Sequence, residues 1–319
     1  MIRKIAILTS GGDAPGMNAA IRCCVRAGLY YGKQMFVVYD GYKGLVEGNI
    51  VQVNKEFTAD IINRGGTIIR SARLPEFKEE AVLNQAIRNI KDFEIDAIVG
   101  IGGDGTFRGL LSLARAGIPV IGIPATIDND VACTVRTIGF DTALNTICDC
   151  IDKIKDTSSS HQKCSIIEVM GRHCGDLAVF SSIAEGAELT VTFDHPYNPD
   201  FIFRRLRQLK AQKKSHAVVV VSENLMDIRQ LAKDIEEQTG FDTSVEILGH
   251  IQRGGTPTAT DRIYAARMAT LAIQCLDKDI TNRVIAETGE GIVDLDIEEA
   301  LKQERDIHEP FLEMINILQ

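Results

Sequence analysis

Two stretches of the 319-residue chain gather groups suited to phosphate chemistry: IGGDGTFRG at 101–109 and PATIDND at 124–130. In the first, four glycines surround one carboxylate, Asp104, between an apolar run and an amphipathic one. Glycine N–H groups and a following helix N-terminus can cradle phosphate oxygens. A carboxylate in the same loop repels a bare pyrophosphate unless a cation stands between them. Asp104 is therefore read as the group that recruits Mg2+, an ion usually held by one or two carboxylates together with substrate phosphates. An Asp at this place also suits the positive end of a helix over 106–116. The loop TSGGDAPG at 9–16 tips the choice toward phosphate, because it too follows an apolar run, offers glycines to an anion and leads into a helix.

Gly100, Gly102 and Gly105 also match GxGxxG, which makes a dinucleotide oxidoreductase the reading from another class. In that fingerprint the loop meets pyrophosphate directly, where Asp104 would repel it, and no ribose-binding carboxylate is paired here with a clean glycine loop. Neither loop carries the lysine of GxxxxGK[ST], which excludes a P-loop NTPase.

The segment 124–130 follows an apolar run and is expected at the carboxyl end of a strand. If it stays extended, its period of two sets Thr126, Asp128 and Asp130 on one side. Phosphoryl transfer needs a base for the acceptor hydroxyl, a metal to bridge phosphate oxygens and cations to absorb developing charge. Asp128 is read as the base. Asp-Asn-Asp is also ordinary turn composition, and its coincidence with two phosphate loops is what favours catalysis.

Cationic anchors lie near other loops: Arg73 in SAR, Arg172 in MGR, and His250 and Arg253 in HIQR. Guanidinium forks suit bidentate phosphate contacts, and Glu223 could accept from a sugar hydroxyl. Arg22 and Arg26 stand four apart on one helix face, and Lys213 and Lys214 end a basic helix over 201–214. Physically both pairs read as solvated faces. The histidines and the Cys148/Cys150 pair have no metal-site spacing.

The elements that must position these groups show as short Ile/Val-rich runs at 5–8, 35–39, 97–101, 120–123, 165–169, 217–221, 245–248 and 284–286, separated by helical patterns. Apolar on both faces and alternating with helices, they indicate an α/β fold with largely parallel sheets. Four of the runs end in glycine or polar loops, at 9–16, 102–106, 170–175 and 249–255, where open α/β sheets bind ligands. Together they suggest one composite crevice. At 45% hydrophobic residues, the chain supports a large core or two domains.

The net charge of −9 argues against a nucleic-acid surface. Eight irregularly spaced cysteines without a CxxC pair read as reduced and suit a cytoplasmic protein. The opening MIRKIAILTSGG is too short in apolar residues for a signal-peptide core, and no run approaches a membrane span.

Taken in order, SGGDAPGMNAAIR at 10–22, GGDGT at 102–106, TIDND at 126–130, DTSSSHQ at 156–162, EVMGR at 168–172 and GHIQRGG at 249–255 resemble the bacterial ATP-dependent 6-phosphofructokinases. The similarity runs from residue 1 to about 290. NAD kinases and diacylglycerol kinases share the GGDG loop but not the later motifs. The resemblance implies two three-layer α/β/α domains with the active site in the cleft between them: 1–138 plus 251–301 for ATP, 139–250 plus 302–319 for the sugar phosphate. It implies a cytoplasmic homotetramer of glycolysis that transfers the γ-phosphoryl of Mg-ATP to O1 of fructose 6-phosphate, giving fructose 1,6-bisphosphate and ADP.

Carried onto matching positions, the resemblance gives Gly12, Arg73, Gly103, Asp104, Gly105 and Thr106 to ATP and Mg2+. It gives Thr126, Asp128, Asp130, Met170, Gly171, Arg172 and Glu223 to the sugar, with Asp128 as base and Arg172 steadying the transferred group. His250 and Arg253 would bind the 6-phosphate. Pyrophosphate-dependent relatives carry Asp at the Gly105 position and Lys at Ala125, so the implied donor is ATP. Two arginines that clamp the sugar phosphate from a neighbouring subunit are replaced by Lys163 and Ser244. A hydrogen bond to a charged group contributes about 1.5–3 kcal/mol, so the Ser244 change implies sugar-phosphate binding weaker by about ten- to hundred-fold. Arg22, Arg26, Lys55, Lys155, Gly186, Glu188, Lys213 and Lys214 resemble an ADP or phosphoenolpyruvate effector site. The alternatives carried forward are a kinase for another sugar phosphate and a regulatory subunit completed by a paralogous chain.

Overall fold

The computed structural model describes residues 2–194, 198–305 and 309–319. Strands and helices alternate as the spacing of the apolar runs requires. The order is β1 (Lys4–Thr9), α1 (Met17–Tyr30), β2 (Gln34–Val38), α2 (Gly41–Glu47), β3 (Ile50–Val53), α3 (Glu80–Asp92), β4 (Ala97–Gly102), α4 (Asp104–Arg115), β5 (Val120–Pro124) and α5 (Phe140–His161). There follow β6 (Cys164–Val169), α6 (Asp176–Glu185), β7 (Leu189–Val191), α7 (Pro199–Ala211), β8 (Ala217–Ser222), α8 (Ile228–Thr239), β9 (Thr243–Ile247), α9 (Ala259–Asp277), β10 (Arg283–Thr288), β11 (Gly291–Asp296), α10 (Ile297–Lys302) and α11 (Glu309–Leu318). The described residues of 1–127, 131–142 and 253–305 form one compact unit, and those of 128–130, 143–252 and 306–319 form a second.

The first unit is built on a seven-stranded sheet in the order β11-β10-β5-β4-β1-β2-β3. Its inner pairs are parallel, and antiparallel β3 and β11 close the two edges. Every residue of β4 and β5 is buried, as parallel strands between helices should be. Leu8, Phe36, Ile98, Phe107, Leu110 and Val284 belong to its core. β1 and β4 are direct neighbours with Thr9 opposite Ile101, so the two glycine loops leave the sheet side by side at its carboxyl edge.

The second unit holds a wholly parallel four-stranded sheet, β7-β8-β6-β9, over a core that includes Ile166, Leu206, Val219, Leu231 and Phe241. Val169 lies opposite Ser222 and Glu168 opposite Ile247, which brings the ends of β6, β8 and β9 to one edge. Two of the helices that return the chain, α7 and α8, are capped by side chains: Asn198 accepts from the Phe201 N–H, and Asp227 from those of Arg229 and Gln230.

The α/β class and the parallel sheets follow the sequence reading, and three strands fall outside it. β7 has three residues, the middle of β3 is exposed, and β11 is half-buried throughout, so none carries an apolar run on both faces. Two helix ends also differ. α7 stops at Ala211 and Lys213 turns left-handed at φ 61°, leaving Lys213 and Lys214 beyond the helix. α4 begins at Asp104 after a cap position, Gly103, that has no side chain to offer. Among the described residues no helix is long and apolar enough to cross a membrane.

Candidate active site

In the first unit the two glycine loops are bound to each other. Thr106 is buried, and its hydroxyl donates to the Ser10 carbonyl at 3.0 Å while the Ser10 N–H donates to the Ile101 carbonyl at 3.2 Å. Tyr42 donates to the Thr106 carbonyl at 2.5 Å. Gly102 sits inside this knot: a Cβ there would come within 2.2 Å of Thr106 Oγ1 and 2.5 Å of the Ser10 carbonyl. Gly105 is the opposite case, since a Cβ there would meet nothing within 4 Å. Internal packing therefore demands glycine at 102 and not at 105, where the bare backbone leaves room for a ligand.

A third segment joins the loops. Ser71 donates to the Gly11 carbonyl at 2.7 Å, two residues before exposed Arg73. Buried Asn18 ties the same segment down, donating to the Arg64 and Gly65 carbonyls and accepting from the Ile68 N–H. Arg253 lies against Gly12, whose Cβ would stand 2.9 Å from its Nη1, and the buried Nε of Arg253 has no hydrogen-bond partner among the described residues. The 9–16 loop thus faces a guanidinium from a distant part of the chain.

Asp104, in the first turn of α4, keeps its side chain 46% exposed, with Arg108 Nη2 at 4.0 Å. Among the described residues no group of three or more His, Cys, Asp or Glu could hold a metal ion. An exposed carboxylate beside two glycine loops is of the kind that holds Mg2+ together with phosphate and water oxygens. Burial, and next the charge of Asp104, pushes the Cys133 thiol up to about 11, so it stays protonated and is no competing ligand.

In the second unit the carboxylates meet one guanidinium. Arg172 Nε lies 3.4 Å from Asp128 Oδ2, and Arg172 Nη1 lies 3.9 Å from Asp130 Oδ2. Asp128 is buried, whereas the Arg172 side chain is about half exposed. The convergence does not come from an extended strand. The backbone bends at Ile127 and Asp128, and Asn129 is left-handed at φ 53°, so the two acids are gathered by a turn and not by a period of two.

Arg172 is itself left-handed, at φ 53°, after Gly171 at φ 132°. Its N–H donates to Glu223 Oε1 at 3.0 Å, so Glu223, expected to receive a sugar hydroxyl, also fixes the arginine backbone. Glu223 is placed by its N–H to the Val169 carbonyl at the ends of β6 and β8. Glu168, on β6, has its carboxyl pushed up by burial and by the charge of Glu223. Buried Gln252 accepts from the Met170 N–H at 3.1 Å and donates to the Gly249 carbonyl at 2.9 Å. It joins the MGR loop to the turn that carries exposed His250.

Thr126 belongs to the first unit, where its N–H donates to the Ile138 carbonyl at 3.0 Å and its own carbonyl accepts from Thr137 Oγ1 at 2.7 Å. Lys163 pairs with Asp242 at 3.0 Å, and the Ser244 hydroxyl lies 3.1 Å from that of Ser165. The effector candidates fall into two groups. In the first unit Arg26 Nε donates to Thr58 Oγ1 at 3.3 Å, Thr58 donates to the Lys55 carbonyl, and Arg22 lies on the same helix as Arg26. In the second unit Lys155 donates to the Glu185 carbonyl at 2.7 Å, next to left-handed Gly186. There Glu188 is bound by Lys214 and by the Val218 N–H, close to Lys213.

Asn18, Tyr42 and Gln252 are the residues that sequence reasoning passed over. Asn18 and Gln252 stand inside quoted motifs, GMNAAIR and HIQRGG, but only the fold shows which backbone groups they hold.

Residues 4–276 match the family described as Phosphofructokinase. A relative from Teredinibacter turnerae named ATP-dependent 6-phosphofructokinase is 49% identical over 302 residues, covering 95% of this chain and 94% of the relative. One from Clostridium perfringens named ATP-dependent 6-phosphofructokinase 1 is 46% identical over 317 residues, covering 99% of each. Among solved structures, phosphofructokinase from Saccharomyces cerevisiae superposes with a TM-score of 0.85 at 32% identity, covering 99% of this chain and 47% of the yeast chain. The chain thus spans about half the length of that solved relative.

Proposed function

The chain belongs to the phosphofructokinase family, and from that premise we propose that it is an ATP-dependent 6-phosphofructokinase, which makes fructose 1,6-bisphosphate and ADP from fructose 6-phosphate and ATP. The observation that carries the reading is the approach of Asp128 and Asp130 to the single guanidinium of Arg172. A carboxylate held beside a cation can take a proton while the cation absorbs charge on the transferring group.

In this reading Asp128 takes the proton of the sugar O1 hydroxyl as that oxygen attacks the γ-phosphorus. The bond from the γ-phosphorus to the β–γ bridging oxygen breaks, and ADP leaves. Thr126, Asp130, Met170, Gly171 and Glu223 orient the sugar, and Arg172 faces the transferring phosphoryl. His250, Arg253 and Lys163 supply hydrogen-bond donors for the 6-phosphate. Gly12, Arg73, Gly103, Gly105 and Thr106, all of the first unit, hold the nucleotide. Asp104 would hold Mg2+ that comes with the nucleotide, and the bound ion would supply charge neutralisation on the phosphates. The open backbone at Gly105 and the apolar Ala125 support a nucleotide donor over pyrophosphate.

The proposal extends to a cytoplasmic homotetramer of glycolysis with an anion effector, ADP or phosphoenolpyruvate. That effector would be bound by Arg22, Arg26, Lys55, Lys155, Gly186, Glu188, Lys213 and Lys214. Initial velocities with Mg-ATP and varied fructose 6-phosphate, with pyrophosphate as a parallel donor, test the function. ATP-dependent formation of the bisphosphate is expected. Turnover with pyrophosphate alone, or with neither donor in folded protein, would overturn it.

A further inference from the structure

The turn that gathers the two carboxylates is held from behind by a residue that the proposed reaction does not use. Asn129, between Asp128 and Asp130, is left-handed at φ 53°, a conformation that Asn accepts more readily than most residues but that needs a neighbour to fix it. Its side-chain Nδ2 donates to Asp176 Oδ2 at 2.7 Å, and both residues are buried, 6% and 3% exposed. Between buried groups the loss of such a bond costs more than it does at the surface. Asp176 is the first residue of α6, where the helix N-terminus favours a negative charge, so the acceptor stands on a rigid element. The Cys174 thiol, two residues earlier, approaches the Asn129 carbonyl at 3.8 Å, so the same loop meets both ends of this residue.

We infer that Asp176, through Asn129, is a positioning residue that sets the direction of Asp128 and Asp130 toward Arg172. The inference rests on the proposed kinase reading for its effect on rate, and on the structure alone for its effect on the turn. An equally buried aspartate that served only α6 would stabilise the protein without setting the rate.

The test compares Asp176→Ala, Asp176→Asn and Asn129→Ala in the full chain, each assayed for kcat, for KM toward both substrates and for amide exchange over residues 127–131. Asp176→Asn keeps an acceptor for the Asn129 amide and is expected to hold kcat within about three-fold, whereas Asp176→Ala and Asn129→Ala each lose about ten- to hundred-fold in kcat with the KM for ATP little changed. The double alanine variant is expected to lose less in kcat than the two single losses multiplied together, because the two residues share the bond that both variants remove. Exchange over 127–131 is expected to quicken in both alanine variants and not in Asp176→Asn. If the wild type fails to turn over, the kinase reading falls and exchange alone decides the positioning claim. Unchanged kcat or unchanged exchange in folded Asn129→Ala would overturn it, even if Asp176→Ala failed to fold.

Discussion

Arg172 reaches Asp128 with its side chain, Nε to Oδ2 at 3.4 Å, from a backbone held in the left-handed region at φ 53°. The geometry is directional, because Glu223 holds the N–H of the same arginine at 3.0 Å. A planar fork that serves Asp128 and Asp130 at once cannot be matched by a point charge. Arg172→Lys should therefore keep the protein folded and lower kcat by about 10²–10³-fold, a loss typical of one group that stabilises transition-state charge. Steady-state kinetics beside a thermal melt check this, and a variant with full kcat would remove Arg172 from the chemistry.

Gly102 and Gly105, at the junction of β4 and α4, should separate stability from function. Gly102→Ala pushes a methyl into Thr106 Oγ1 and the Ser10 carbonyl, an overpacking that costs about 1–3 kcal/mol. Gly105→Ala meets nothing and lies inside α4, where Ala is favoured over Gly by about 0.5–1 kcal/mol. The first variant should melt earlier. The second should melt at the same temperature or later, yet show a raised KM for ATP.

Glu168 gives a pH signature. Burial and Glu223 raise its carboxyl above the ordinary 4.5. A raised acid contributes stability that is present below its unfolded pKa and lost as pH rises through the folded one. At neutral pH, above the unfolded value, the fold therefore works against the ionised form. Glu168→Gln should melt higher than wild type at pH 7–8, with the gap closing as pH falls toward 4.5. Thermal melts across that range decide it, and a constant gap would contradict the cause given.

Much of the site was legible in residue types. The glycine loops at 9–16 and 102–106 follow the adjacent parallel strands β1 and β4, and an apolar run before a glycine is enough to foresee both. The carboxylates of 126–130 were legible as a cluster, but the period of two misdescribed their geometry. The bend and the left-handed Asn129 depend on Asp176, far along the chain, and no local spacing encodes that partner. Gln252 was hidden for the same reason, since its value lies in bridging Met170 to Gly249. β7 escaped because three residues are too few to make an apolar run, and β3 and β11 because exposed or half-buried positions interrupt theirs.

The most direct test of the account is the turnover of Asp128→Asn against wild type at saturating Mg-ATP and fructose 6-phosphate. The amide keeps the shape and removes the base, so kcat should fall by about 10²–10⁴-fold while KM for both substrates changes by no more than about three-fold. Turnover near the wild-type rate would contradict the assignment of Asp128 as the base, and with it the mechanism built on the Asp128–Arg172 pair.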